Sequence, residues 1–114
     1  MSEIRPEQLL PLPSTILHIL LALADGERHG YGIKKDIFRR TEGKLRLGPG
    51  SLYGSIKKML EQGLIEESAE RPDIRLDDER RRYYRLTPFG RQVAHAELER
   101  MRGLVRQGEE LLPT

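Results

Sequence analysis

The chain has no cysteine and no tryptophan, and only two phenylalanines and four tyrosines. Without thiols there is no disulfide framework, no thiolate metal site and no cysteine nucleophile. Long apolar runs are missing too. The longest, Ile16–Ala24, is nine residues and is interrupted by His18; a bilayer-spanning helix needs about 20. Met1–Glu7 is largely polar and carries Glu3 and Glu7, unlike a secretory leader. These absences predict a soluble, cytoplasmic protein with no membrane partner. A length of 114 residues excludes a two-domain enzyme. A chain this short builds a small core, so a partner subunit would add burial.

Catalytic and cofactor constellations are missing as well. His18, His29 and His95 have no second histidine three or four residues away, and lone histidines are more often structural than ligating. Ser14, Ser51, Ser55 and Ser68 lack a nucleophile-elbow context. Gly48-Pro49-Gly50-Ser51 has no lysine where a phosphate-binding loop needs it, and Gly30-Tyr31-Gly32 lacks the third glycine of a dinucleotide fingerprint. No enzyme, metal or cofactor is expected.

What is present is charge, unevenly placed. The net charge is only +2. Between Arg28 and Lys58, however, nine basic residues (Arg28, Lys34, Lys35, Arg39, Arg40, Lys44, Arg46, Lys57, Lys58) face only Asp36 and Glu42, a local net charge of +7. A second basic cluster, Arg80, Arg81, Arg82 and Arg85, follows Asp77, Asp78 and Glu79. A basic block in a near-neutral chain suits a polyanion; ordinary solvated helix faces are the competing reading.

The order of elements can be read from periodicity and punctuation. Residues 1–13, with prolines at 6, 11 and 13, form an N-terminal arm that is extended or frayed with at most a short helical turn. Ser14 then caps an almost wholly apolar helix ending at Asp25-Gly26. A second helix starts at His29-Gly30 and stops near Thr41–Gly43. Lys44–Leu47 alternates like one extended strand. Gly48-Pro49 starts a third helix with proline at its first position; Leu52, Ile56, Met59 and Leu60 are its buried stripe, and Gly63-Leu64 its C-terminal cap. Leu64–Ser68 and Arg81–Leu86 form a hairpin around a long charged loop, Ala69–Arg80, too long for a tight turn and expected to be mobile. Thr87-Pro88 starts the last helix, running to about Leu111.

That last helix carries a seam. Ala94, Leu98, Met101, Val105, Gly108 and Leu112 alternate at spacings of four and three, with Leu104 and Leu111 widening the stripe. A 3.5-residue repeat is the signature of helix pairing. At about 1.5 Å per residue the helix is roughly 35 Å long, more than so small a core requires. The fold class is therefore mainly α with a small β-hairpin. Residues 14–86 form a winged helix-turn-helix domain, and 87–114 a long C-terminal dimerisation helix.

Five strings resemble the PadR-like family of transcriptional regulators: Leu20-Leu21-Ala22-Leu23-Ala24-Asp25-Gly26, His29-Gly30-Tyr31-Gly32-Ile33, Gly48-Pro49-Gly50-Ser51-Leu52-Tyr53, Leu60-Glu61-Gln62-Gly63-Leu64-Ile65, and Arg82 through Arg91. They follow one another in the family's order and spacing. The C-terminal helix is similar in length and position to that of the family's short branch. The resemblance implies a homodimeric repressor of double-stranded DNA that recognises a near-palindromic operator. It also leaves room for a small-molecule effector of unknown identity. Some members hold flat aromatic drugs between tryptophans at the dimer centre, and that property does not carry over to a chain without tryptophan.

The candidate DNA-binding residues are Tyr31, Lys34, Ser51, Tyr53, Gly54, Lys57, Lys58, Arg80, Arg81 and Arg82. Ser51 and Tyr53 lie in the N-terminal half of the recognition helix, where a hydroxyl can reach a base edge or a phosphate. Gly54 removes bulk, and Lys57 and Lys58 sit about one turn on, placed for phosphate. For Tyr31 the alternative is a half-buried core residue with its hydroxyl at the rim. Strand alternation puts at most two of Arg80, Arg81 and Arg82 on one face, and pairing with Asp77, Asp78 and Glu79 competes for Arg80 above all. The candidate dimerisation residues are Ala94, Leu98, Met101, Leu104, Val105, Leu111 and Leu112. The alternative function is a winged-helix protein–protein module whose basic face takes an acidic partner.

Overall fold

The structure, a computed structural model, describes residues 4–68 and 82–114. The loop expected over Ala69–Arg80 lies outside them. After a 3-10 turn at Pro6–Leu9 come α1 (Ser14–Ala22), β1 (Arg28–His29), α2 (Gly30–Arg40), α3 (Pro49–Glu61), β2 (Ile65–Ser68), β3 (Tyr83–Leu86) and α4 (Pro88–Leu111).

The hydrophobic helix α1 is central. Ile16, Leu17, Ile19, Leu20 and Ala22 are buried, and the core around them draws on α2, α3, the sheet and the start of α4. Its ends differ from the expected ones. Pro13 holds the N-cap position and its carbonyl accepts from the Leu17 N–H, so Ser14 is the first helical residue and no side chain caps this end. The helix stops at Ala22, where the Leu23 N–H is shared between the Ile19 and Leu20 carbonyls and tightens the last turn. Asp25 and Gly26 lie beyond it.

The second helix is capped by a residue that periodicity does not reveal. His29 Nδ1 accepts the Gly32 N–H at 3.1 Å. On α2, Ile33 and Ile37 face the core, and with them the carboxylate of Asp36, which is 3% exposed. Three arginines surround it: Arg40 Nε at 2.7 Å, Arg39 Nη2 at 2.8 Å and Arg28 Nη2 at 3.3 Å. A buried carboxylate is tolerated when charge and hydrogen bonds both compensate it, as here. Lys44–Leu47 is not a strand; it is a link held by buried Leu47 and half-buried Leu45.

Helix α3 begins with Gly48 as N-cap and Pro49 at the first position, as expected. It closes in a Schellman motif. Gly63 has φ 74°, a conformation that costs glycine least. The Leu64 N–H then reaches the Met59 carbonyl at 2.9 Å, and the Gly63 N–H reaches the Leu60 carbonyl at 3.1 Å. The chain is thereby turned directly into β2.

Among the described residues the sheet has three strands rather than two, in the order β1-β3-β2, all antiparallel. Arg28 and His29 add a short edge opposite Tyr84 and Tyr83. Two residues are too few to show the alternation by which a strand is recognised. In the hairpin proper, Ile65 faces Leu86, Glu66 faces Arg85, Glu67 faces Tyr84 and Ser68 faces Tyr83.

Thr87 caps α4, its hydroxyl accepting the Gly90 N–H at 2.9 Å. Val93 and Ala94 are buried in the domain core. From Leu9 onward the N-terminal arm is packed rather than loose. Leu9, Leu10 and Leu12 lie against the core, and the Leu12 N–H donates to Glu97 Oε2 at 2.7 Å. Glu97 is fully buried, and its other oxygen accepts from Arg100 Nε. The Arg100 guanidinium, assisted by the Leu12 N–H, holds the Glu97 carboxyl below the usual carboxylate range despite burial.

Candidate nucleic-acid interface

The buried stripe of α3, Leu52, Ile56 and Met59, fixes which face is left outward. Ser51, Tyr53, Gly54, Lys57 and Lys58 are all exposed. Among the described residues no lysine has an ion pair, so Lys57 and Lys58 keep their full charge for an outside partner. Gly54 has open space where its Cβ would be, so among the described residues nothing would obstruct a bulkier side chain there.

Tyr53 is 52% exposed, and its outer ring edge rests on Gly30 at the start of α2. A Cβ at Gly30 would lie 2.6 Å from the Tyr53 hydroxyl oxygen. Glycine is therefore what lets the Tyr53 ring lie against the start of α2. Beyond this junction lies Tyr84. Burial pushes its hydroxyl above the usual tyrosine range, and the nearby Glu67 adds to the effect.

Tyr31 is 55% exposed, which overturns the half-buried reading. Its ring is stacked parallel to His29 at 6.4 Å, and Lys35 Nζ lies 5.5 Å from its centroid. Further along, Phe38 is 38% exposed with the Arg46 guanidinium 5.0 Å over its ring. Lys34 is half-buried beside them. The strip of Tyr31, Lys35, Phe38 and Arg46 was not singled out from the sequence, although Tyr31, Lys35 and Phe38 are four and seven residues apart on one helix face.

The basic residues of this block are not equally available. Arg28, Arg39 and Arg40 are engaged by Asp36, and Arg28 and Arg40 also by Asp25 at 3.2 and 2.9 Å. Among the described residues, the cations between Arg28 and Lys58 left without an acid are Lys34, Lys35, Lys44, Arg46, Lys57 and Lys58. On the wing, Arg82 is exposed and its Nη1 donates to Glu67 Oε1 at 2.8 Å; Arg85 Nε donates to Glu66 Oε2 at 2.8 Å. Arg80 and Arg81 lie outside the described residues.

Along α4 the predicted seam divides. Ala94 is 9% exposed and packed into the protomer's own core, so it has little surface for a partner. Leu98, Met101 and Val105 line a groove with Arg102 and Arg106. Leu104, Val105, Leu111 and Leu112 are 58–78% exposed. This is an apolar stripe on a helix that has left its own domain behind.

The family model described as "Transcriptional regulator PadR-like family" matches residues 17–96. The chain belongs to this family. PadR-like proteins are transcriptional regulators and not enzymes. Among curated proteins, this PadR-like chain is 33% identical over 91 residues to the transcriptional regulator Rv3488 of Mycobacterium tuberculosis, covering 80% of this chain and 78% of the relative. It is 39% identical over 83 residues to an uncharacterised 37.1 kDa protein in transposon Tn4556 of Streptomyces fradiae, covering 73% of this chain but spanning only 21% of that protein. Among solved structures, a PadR family regulator of Clostridium difficile shares the fold with a TM-score of 0.70 at 23% identity, over 88% of this chain and 99% of that one. Bacillus subtilis PadR in complex with operator DNA aligns with a TM-score of 0.62 at 25% identity, over 77% of this chain and 48% of that one. Among the described residues no helix is long and apolar enough to cross a membrane.

Proposed function

We propose that this chain is a sequence-specific DNA-binding repressor that acts in the cytoplasm as a homodimer on a near-palindromic operator. The observation that carries the reading is the outward face of α3: two hydroxyl side chains, a glycine and two unpaired lysines on a helix whose opposite face is locked into the core. A helix so presented suits the major groove, its N-terminal residues toward base edges and its later lysines toward phosphates. That Bacillus subtilis PadR is seen with operator DNA supports carrying this mode across. The stripe from Leu98 to Leu112 supplies the dimer contact. Pairing through α4 presents two α3 helices with two-fold symmetry, which is what a palindrome demands. A small-molecule effector would act by changing the angle between the paired helices and so the half-site spacing.

The second reading is a module for an acidic protein partner, favoured by the exposed Tyr31 and Phe38 among Lys35 and Arg46. Binding measured against salt concentration separates the two. Neutralising several phosphates per protomer gives a steep log–log decline, with a slope near −0.9 per phosphate contacted. A flat salt response, or no retention of any duplex from a random pool, rejects the repressor reading in favour of the protein module.

A further inference from the structure

The wing differs electrostatically from α3. Among the described residues its two arginines, Arg82 and Arg85, are each met by a glutamate of the neighbouring strand, Glu67 and Glu66, at 2.8 Å. These four charges cancel, whereas no acid opposes Lys57 or Lys58 on α3.

The two pairs lie on opposite faces of the hairpin. Glu66 is registered against Arg85, and Arg85 also reaches Glu27 at 3.7 Å. Glu67 is registered against Tyr84, and Arg82, which precedes β3 and stands two residues before Tyr84, meets Glu67 at 2.8 Å, so Glu67, Tyr84 and Arg82 share a face. Tyr53 of α3 packs on Gly30, which directly follows β1, the strand registered against Tyr84 and Tyr83. Glu67 and Arg82 therefore lie on the hairpin face that carries Tyr84, near the junction of α3 with the sheet. Both are substantially exposed, at 47% and 70%, so the pair can open without unfolding anything.

We propose that Glu67 is an intramolecular stand-in for phosphate that occupies Arg82 in the free protein and sets how tightly the wing grips DNA. The inference rests on the DNA-binding reading above. A carboxylate and a phosphate take the same guanidinium donors. A backbone phosphate reaching Arg82 must displace Glu67, and the released carboxylate is then left beside a polyanion. The wing is thus held below its full affinity, and whatever neutralises Glu67 strengthens the grip.

The test compares Glu67→Gln, Glu66→Gln, Arg82→Ala and the double variant Glu67→Gln/Arg82→Ala. Each is titrated against a duplex that the wild type selects from a random pool, at several salt concentrations, with thermal melting to confirm folding. Glu67→Gln should tighten binding about two- to fivefold per protomer, the range of an exposed ion pair. It should also steepen the salt slope by about 0.9 per protomer, one extra phosphate contact. Glu66→Gln removes the same charge from the other face and should give a smaller gain, and the double variant should lose the gain. Equal gains from Glu66→Gln and Glu67→Gln, or a gain that survives loss of Arg82, would mean a general charge effect and overturn the proposal. So would a Glu67→Gln variant that binds no better than wild type. If the wild type retains no duplex at all, the DNA reading fails and this inference with it.

Discussion

Gly30 and Tyr53 are in contact across the junction of α2 and α3: a Cβ at residue 30 would sit 2.6 Å from the Tyr53 hydroxyl oxygen and 2.9 Å from Cε1 and Cζ. The obstructing atoms are the far end of a mobile side chain, not backbone. Gly30→Ala should therefore leave the fold standing and push the Tyr53 ring outward. Alanine is also the better helix former at this position. Melting should change by less than about 1 kcal/mol, within the range of mild substitutions, while DNA affinity falls. Equal affinity in wild type and Gly30→Ala would show that the seating of Tyr53 does not matter for binding.

Gly90 is the opposite case. A Cβ there would overlap the Leu64 carbonyl oxygen, a backbone atom fixed by the Schellman turn and by the Thr87 N–H, which donates to it at 3.2 Å. Neither side can yield cheaply. Gly90→Ala should cost about 3 kcal/mol, the upper end of ordinary overpacking, and lower the melting temperature by roughly 10–20 °C for a chain of this size. A drop of only a few degrees would mean that α4 can shift bodily against the hairpin.

These two glycines show what a sequence does and does not disclose. The strings containing them stood out, but which side chain each made room for depended on packing between distant segments. Local signals are legible: Gly48-Pro49, Gly63-Leu64 and Thr87-Pro88 each act within a few residues, and they stand at helix ends in the structure. Ser14 misled because Pro13 already supplied the first helical carbonyl. The +7 block does not disclose which of its cations are free, because Asp36 inside α2 ties down three of those arginines through folded geometry that a charge count cannot show. Glu97 could not be read at all. On a long charged helix it resembles any solvated acid, and its partner Leu12 is 85 residues away.

Glu97 also yields a pH dependence. Its carboxyl titrates below the ordinary value of 4.5, chiefly through Arg100. A folded pKa below the unfolded one means that its stabilisation is fully present above the ordinary value. It is lost as pH falls through the lower folded value. Glu97→Gln should remove part of the acid-induced loss of stability. At neutral pH it should cost about 1.5–3 kcal/mol, as for hydrogen bonds to a charged group. Hydrogen exchange at Leu12 should accelerate with it. An unchanged acid transition would assign the low-pH loss to other carboxylates.

The stripe on α4 predicts self-association. Each large side chain buried there should contribute about 1.5–3 kcal/mol. Leu98 and Val105 line the same groove, so Leu98→Asp with Val105→Asp places two charges where a partner helix would lie. Sedimentation should give a dimer for the wild type and a monomer for the double variant. Ala94→Ser should hardly affect the dimer, because that residue faces its own core. A double variant that still sediments as a dimer would move the interface off α4.

The outward face of α3 should divide its labour along its length. Lys57 and Lys58 are exposed, flexible and unpaired, and an ammonium on a long stem suits a backbone that carries charge at every step. Lys57→Ala or Lys58→Ala should weaken binding to selected and scrambled duplexes alike and reduce the salt slope by about one per protomer. Ser51 and Tyr53 sit earlier on the helix, where base edges come within reach. Ser51→Ala and Tyr53→Phe each remove a hydroxyl with little change of shape. They should cost about 1–3 kcal/mol on the selected duplex and much less on the scrambled one, because a base contact carries discrimination and a phosphate contact does not. Tyr53 offers an internal comparison. Tyr53→Phe keeps the ring on Gly30 and loses only the hydroxyl, whereas Gly30→Ala keeps the hydroxyl and moves the ring. If the two variants change sequence preference at the same operator position, the ring's seat exists to aim the hydroxyl. If Tyr53→Phe is silent and Gly30→Ala is not, the ring itself is the contact, packed against the duplex rather than hydrogen-bonded to it.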